Sequence, residues 1–430
     1  MIFQNIAILD EHFAVKEHQT VKIDGGRITY IGEELPEQTA GKWIDGKNRL
    51  MVPGLINAHT HVPMTLLRGY GENLPLDRWL NERIFPYEDQ LDARSVYYAS
   101  LLGIAEMLRF GVTSFTEMYN FCDQIARAAE ESGIRANISR GLLCFDDSAL
   151  EDLLSFQESR ELYRNWNNAA NGRIKVDMCI HGEYTSTPRV VRAMAEYAHS
   201  LGCGMHIHLA ETKKETDECI GRHGMTPVRY MEEMGVFDGP CNAAHCVWLT
   251  EEDMDILAQR KVTAVHCPVS NLKLGSGVAP APALLKKGVN VALGTDGCAS
   301  NNNLNLYEEV KLAAVLHKGV SGDPAICTPE EILRCATVNG ALAQGRADCG
   351  LIKEGYRADF AVLDISGAHW QPAHDMLGNL VYAGQGSDVV MTVVDGKILY
   401  QNGEYPTIDL EKIKAEFLKE NEKILQKLEK

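Results

Sequence analysis

Eight short apolar segments, separated by stretches of helical periodicity, constrain this chain more than any other feature of its sequence. They read VPGLINAHTH, VTSFTEM, RANISRGL, KVDMCIHGEY, GMHIHLAET, CNAAHCVW, VTAVHCPVSN and VNVALGTDG. Helix-like stretches such as SVYYASLLGIAEMLRFG and PRVVRAMAEYAHSLG lie between them. Buried parallel strands alternating with helices imply an α/β architecture, and eight such units imply a closed (β/α)8 barrel of the TIM type. No repeat beyond this rhythm is present.

The flanks have a different texture. TVKIDGGRITYIG alternates apolar and polar positions around Gly25-Gly26, the pattern of a hairpin. ADFAVLDI and VVMTVVDGKILYQNGEY near the other end are also strand-like, the second with a turn at Asp395-Gly396. The expectation is a small β-sandwich domain assembled from both termini, residues 1–52 with 350–408, beside a barrel of residues 53–349. Residues 409–430 carry Glu/Lys pairs on an amphipathic pattern and read as a solvated surface helix, with a partner-binding helix as the lesser alternative.

Composition excludes several classes of partner. The 42 basic residues against 59 acidic ones leave a formal charge of −17, which disfavours nucleic acid and anionic membrane but tolerates a small neutral or zwitterionic substrate. Apolar residues make up 45% of the chain, too many for a disordered segment. The twelve cysteines form no CxxC pair, and several, such as Cys179 and Cys203, sit in apolar runs, as reduced thiols of a cytoplasmic protein do. Met1 to Asn5 lack a basic stretch followed by a long apolar one, so no signal peptide is expected. No apolar run approaches bilayer length.

Chemistry concentrates where a barrel keeps it, at the C-terminal ends of strands. His59 and His61 close the first segment, His208 and Glu211 the fifth, His245 the sixth and Asp296 the eighth. Residues two apart on a strand share a face, so His59 and His61 can hold one ion together. Imidazole suits Zn²⁺, Fe²⁺ and similar divalent ions, and three His with one Asp leave a position open for water. A lone His in a strand is more often structural than a ligand. Four matched strand ends are hard to produce by accident.

These motifs resemble a known family. VPGLINAHTHVPMTLLRG is similar to the first-strand signature of the amidohydrolase superfamily, and HIHLAET, AAHCVWL, HCPVSNLKLGSGVAP and LGTDGCASNNNLNLYEE resemble its later ones. Together with GLIKEGYRADFAVLD they resemble the branch that deaminates adenosine-type nucleosides: S-adenosylhomocysteine, 5′-methylthioadenosine, adenosine or 5′-deoxyadenosine. The resemblance implies a metal held by His59, His61, His208 and Asp296. It selects His208 over His206 because Glu211 follows in H-x-x-E, leaving His206 as a supporting core residue. One divalent ion is implied, zinc foremost, with iron or manganese fitting the same ligands. The fourth strand carries His181 at its inward end and Lys175 too early to bridge two metals. Relatives of this kind are often oligomeric, so a homo-oligomer is among the expectations.

By the same resemblance, Glu211 gives a proton to the purine ring and shuttles one onward, Asp296 takes the proton of the attacking water, and His245 orients that water or contacts the ring. Glu88 resembles the carboxylate that accepts the ribose hydroxyls. Trp79 and Leu80 are placed to cover the purine, His181 to touch base or ribose, and Arg140 to bind the far end of the substrate. Where the branch often reads PHAPYTCS, this chain reads IHGEYTST, so Glu183 is expected to bring a further carboxylate to the pocket. Two other readings compete. A related amidohydrolase acting on guanine, cytosine, a pterin or a triazine would have no ribose for Glu88. A non-catalytic scaffold would have lost some of the ligands. The H-x-E then P-C-x-x-C pattern of cytidine deaminases is met only partly, because Cys246 lies five positions beyond Cys241. HExxH, GxGxxG and P-loop motifs are absent.

Overall fold

In chain order the strands are β1 (Ile2–Leu9), β2 (Val15–Asp24), β3 (Arg27–Gly32), β4 (Trp43–Asp45) and β5 (Arg49–Pro53), then β6 (Leu55–Thr60), β7 (Val112–Tyr119), β8 (Arg135–Arg140), β9 (Ile174–Val176) and β10 (Met178–Cys179). They continue as β11 (Met205–Leu209), β12 (Cys241–His245), β13 (Thr263–His266), β14 (Asn290–Leu293), β15 (Phe360–Asp364), β16 (Val389–Val394) and β17 (Lys397–Gln401). The computed structural model describes residues 1–34, 41–146 and 148–429.

Two parallel ladders, β6-β7-β8-β9 and β10-β11-β12-β13-β14, hold the eight segments expected of a barrel. β6 and β7 are buried at every position, as strands covered on both faces must be. The fourth segment is in two pieces because Asp177 interrupts it. Its carboxylate accepts the Asn137 side-chain amide at 2.9 Å and the Gly204 N–H at 3.1 Å, so a side chain serves donors the broken ladder leaves over. Backbone bonds then tie the segments into a ring. Met178 N–H donates to Gly204 O, and His208 N–H to His181 O, on one side. On the other, Asp296 N–H donates to His59 O at 3.0 Å, and the Asn57 side chain donates to Thr295 Oγ1 and accepts the Thr295 backbone N–H. That last seam is tight. A Cβ on Gly294 would lie 2.9 Å from the His59 nitrogen, so only glycine fits there.

The terminal strands share one sheet, ordered β17-β16-β15-β5-β1-β2-β3, with β4 beside β1. It folds back on itself, since Ile28 N–H donates to Tyr356 O and Ala358 N–H to Gly26 O, joining β3 to the chain entering β15. Two facing layers thus come from a single continuous ladder. They enclose their own core, in which Phe3 and Phe360 meet edge to face at 5.6 Å.

The helix Leu410–Leu428 is not simply solvated. It buries Ile413 and Ile424, and its Glu416 and Glu420 both pair with Arg94. Tyr87 donates to Asn421 Oδ1 at 2.6 Å. The apolar stripe read as amphipathic therefore docks within the chain, over the segment that follows the first barrel strand.

Candidate metal centre and active site

The first-strand residues His59 and His61, the fifth-strand His208 and the eighth-segment Asp296 meet at one end of the ring. Asp296 Oδ1 lies 3.4 Å from His59 Nε2 and 3.2 Å from His61 Nε2, and His61 Nε2 lies 3.3 Å from His208 Nε2. A tetrahedral site with metal–ligand bonds of about 2.05 Å has edges of roughly 3.3 Å. Two overlapping groups result, His59–His61–Asp296 and His59–His208–His245, each with its ligand atoms close enough together to hold a metal ion.

Their hydrogen bonds prepare them for it. His61 Nδ1 faces Met118 O at 2.5 Å and His208 Nδ1 faces His181 O at 2.8 Å. A carbonyl only accepts, so in each ring Nδ1 carries a proton, and Nε2 is the atom that can face an ion. Asp296 Oδ2 accepts from Ser270 (2.6 Å) and Ser300 (2.8 Å), which leaves Oδ1 to the histidines. His59 Nε2 is buried with no hydrogen-bond partner, an orphan atom that a cation satisfies. Burial drives the His59 pKa down to about 4 and keeps it a neutral donor of electrons. Burial opposes ionisation of Asp296, yet its contacts with His59 and His61 hold the carboxyl well below its usual value. The residues fit a resident divalent metal.

The backbone is bent to aim these groups. His245 has φ +74° and Asp296 φ +61°, left-handed conformations uncommon outside glycine and found mainly where surrounding structure enforces them. His245 is fixed through Nδ1 by Asn271 Oδ1 at 2.9 Å, and its Nε2 lies 3.8 Å from Glu211. Glu211 stands just before the helix Lys213–His223. Glu215, in that helix's first turn, accepts the Ala210 N–H at 2.9 Å and the Glu211 N–H at 2.7 Å, and so clamps the backbone that carries Glu211. Ser276 donates to Glu211 Oε1 at 3.2 Å. Burial raises the Glu211 pKa above the usual carboxylate value.

A cavity opens onto these groups. His61, His208, His245, Glu211 and Asp296 line one part, and Trp79, Leu80, Ile84, Phe85 and Glu88 another. The second group comes from a single segment in which a π-helical turn, Leu80–Ile84, follows the one-turn helix Leu76–Trp79. Such turns are frequent at functional sites. Glu88 Oε1, Tyr119 Oη and His181 Nδ1 are buried atoms of lining residues; the Tyr119 hydroxyl faces the Glu88 carboxylate, and His181 Nδ1 has no hydrogen-bond partner. Burial pushes the Glu88 pKa up to about 6.

Three expectations meet a different arrangement. Arg140 does not line the cavity. Its Nε pairs with Glu158 at 2.6 Å and its Nη1 with Gly141 O, on the far side of β8. Glu183 does not line the cavity either; its buried carboxylate takes Arg222 at 2.6 Å and His223 at 3.0 Å, both at the end of the Lys213–His223 helix. His206 is more than a core residue, since its Nε2 lies 2.9 Å from His59 Nδ1. Lys175 sits at the opposite end of its strand, with Nζ on the Gln344 and Gly345 carbonyls. Ser270, Asn271, Ser276 and Ser300 escaped the sequence reading although they stand inside quoted motifs. Only the strand-end geometry shows whom they serve.

The chain matches the model of the amidohydrolase family over residues 50–399. It is 42% identical to the 5-methylthioadenosine/S-adenosylhomocysteine deaminase of Thermoanaerobacter pseudethanolicus, covering 99% of this chain and 100% of that one. It is 45% identical to the 5′-deoxyadenosine deaminase of Methanosarcina acetivorans, covering 92% and 90%. A crystal structure of an adenosine deaminase from Xanthomonas campestris with bound zinc superposes with a TM-score of 0.93 at 32% identity, over 99% of this chain and 98% of that one. Among the described residues, no helix is long and apolar enough to cross a membrane, and all twelve cysteines are free thiols.

Proposed function

The chain belongs to the amidohydrolase family, and on that premise we propose that it is a zinc-dependent hydrolase that removes the 6-amino group of adenosine-type nucleosides. One observation carries the substrate class. Glu88, a half-buried carboxylate facing the Tyr119 hydroxyl, shares a cavity with Glu211 and the His/Asp cluster. The cis hydroxyls of a ribose match both oxygens of such a carboxylate, a donor pair that a free base lacks.

His59, His61, His208 and Asp296 would hold a divalent ion. Bound there, a zinc ion supplies Lewis-acid chemistry that makes hydroxide available near neutral pH. The residues of the chain do the rest. Asp296 accepts the proton of the attacking water, and His245, fixed by Asn271, orients that water against the purine C6. Glu211 donates its proton to the adjacent ring nitrogen, so the C–O bond forms without leaving negative charge on the ring. The proton taken from water then passes to the exocyclic amine. The C6–N bond breaks and ammonia leaves while the C6 hydroxyl returns its proton to Glu211, so that C6 becomes a carbonyl and the ring nitrogen keeps its proton in the inosine analogue. Trp79 and Leu80 exclude water from the base. His181, uncharged because burial lowers its pKa to about 4, offers Nδ1 to base or ribose.

Ammonia release from adenosine and its 5′-derivatives by zinc-loaded protein tests this reading. Turnover abolished by Glu211→Gln supports it; turnover of free bases alone contradicts it.

A further inference from the structure

Glu211 stands in a closed circuit of hydrogen bonds, and one residue outside the cavity completes it. The circuit starts at Ala210, which precedes Glu211 in the chain. The Ala210 carbonyl accepts the backbone N–H of Trp248 at 2.9 Å. The Trp248 indole Nε1–H donates to Ser276 O at 2.7 Å. The Ser276 hydroxyl donates back to Glu211 Oε1 at 3.2 Å. Trp248 follows closely on His245 at the end of β12 and does not line the cavity.

The loop that carries Ser276 is tied to the same strand end at both of its limits. It begins at Asn271, whose Oδ1 holds His245 Nδ1 at 2.9 Å. It closes on itself where Ser276 N–H donates to Asn271 O at 2.8 Å. Gly277, at φ +126°, lets the loop run against the strand end. A Cβ there would lie 3.0 Å from Val247 Cγ1 and 3.6 Å from the Trp248 ring. A seryl hydroxyl on an untethered loop would meet Glu211 only part of the time. The indole bond fixes the carbonyl of that serine, and with it the place from which the hydroxyl reaches.

We propose that Trp248 is a positioning residue for the proton donor: its indole N–H holds Ser276 where the seryl hydroxyl sets the Glu211 carboxyl against the purine ring. The proposal rests on the proton-donor reading of Glu211. Trp248 touches no reacting atom, so it acts on the aim of Glu211 and not on substrate binding. A misaimed catalytic group loses rate before it loses affinity.

The test is kcat and KM for adenosine and 5′-methylthioadenosine, with zinc content, in the parent enzyme, Trp248→Phe, Ser276→Ala and the double variant. Phenylalanine keeps an aromatic ring and the backbone bond to Ala210 but has no side-chain N–H to give. In Trp248→Phe, kcat is expected to fall roughly three- to tenfold, the worth of one hydrogen bond, with KM within about twofold and zinc content as in the parent. In the Ser276→Ala background the same change is expected to cost less than about twofold, because the hydroxyl it positions is gone. Gly277→Ala displaces the loop without altering Trp248 and is expected to lower kcat in the same way, which decides the matter should the Phe variant not fold. Parent-like kcat in Trp248→Phe or in Gly277→Ala overturns the proposal. So does a loss that is repeated in full without the Ser276 hydroxyl, or a rise in KM at unchanged kcat. An active Glu211→Gln would sink the reading of the site itself, whereas an inactive one beside a parent-like Trp248→Phe would sink only this proposal.

Discussion

His206 Nε2 lies 2.9 Å from His59 Nδ1, and the protons along this contact can be assigned. The Ser139 hydroxyl donates its one proton to Glu117 O at 2.7 Å, so it can only accept from His206 Nδ1, 3.3 Å away. A neutral His206 then accepts at Nε2, His59 donates from Nδ1, and the His59 Nε2 lone pair faces the metal position. Burial holds the His206 pKa far below its usual value and keeps the relay neutral. Such supporting hydrogen bonds are typically worth about 10–100-fold in metal affinity or activity. His206→Ala is expected to weaken zinc binding by that order, measured by competition with a chromogenic chelator. Parent-like affinity would leave His206 a packing residue.

Glu211→Gln keeps the shape of the side chain and its Ser276 contact but has no proton to give. Zinc content is expected to stay at the parent level while kcat falls by about 10²–10⁴-fold. Metal analysis beside steady-state rates checks both halves. Loss of the metal would place Glu211 among the ligands.

Glu88 makes the site sensitive to acid. Its pKa is pushed up to about 6 by burial, so it is ionised above that pH and accepts two hydroxyls. Below it, the protonated carboxyl gains a donor and loses acceptor capacity. KM for adenosine is expected to rise as the pH falls from neutrality through that value, with no such rise for 2′,3′-dideoxyadenosine, which lacks the diol. Glu88→Gln should remove the difference between the two profiles. Identical profiles in the parent enzyme would count against ribose binding.

Glu183 tests whether its carboxylate is structural. Glu183→Gln loosens Arg222 and His223 and should cost about 1–3 kcal/mol, the worth of hydrogen bonds to a charged group, with the lower end favoured because Arg222 is partly exposed and can rehydrate. Thermal unfolding should fall by a few degrees while the order of nucleoside preference is unchanged. A reordered preference would return Glu183 to the pocket.

Much of this was legible in the sequence because the barrel ties function to strand ends. HxH in the first segment, H-x-x-E in the fifth, His245 and Asp296 each close a strand, and the ring brings those ends together. Side-chain direction was not legible. Arg140 and Glu183 lie at strand ends or just beyond, yet their side chains turn to carboxylates and cations on neighbouring helices that no local pattern announces. The same holds for the seryl and asparaginyl supports of Asp296 and His245, which come from segments distant in the chain. The terminal segment carries an amphipathic pattern. That its apolar stripe meets the Ala93–Arg109 helix depends on how the chain returns, which periodicity does not encode.

The most direct test of the account is ammonia release, followed together with loss of adenine absorbance, from adenosine and 5′-methylthioadenosine with zinc-loaded protein, after treatment with chelator, and after restoring the metal. The account predicts turnover of the nucleosides that is lost slowly to the chelator and returns with the divalent ion. No release from any nucleoside, with release from guanine or cytosine under the same conditions, would contradict it.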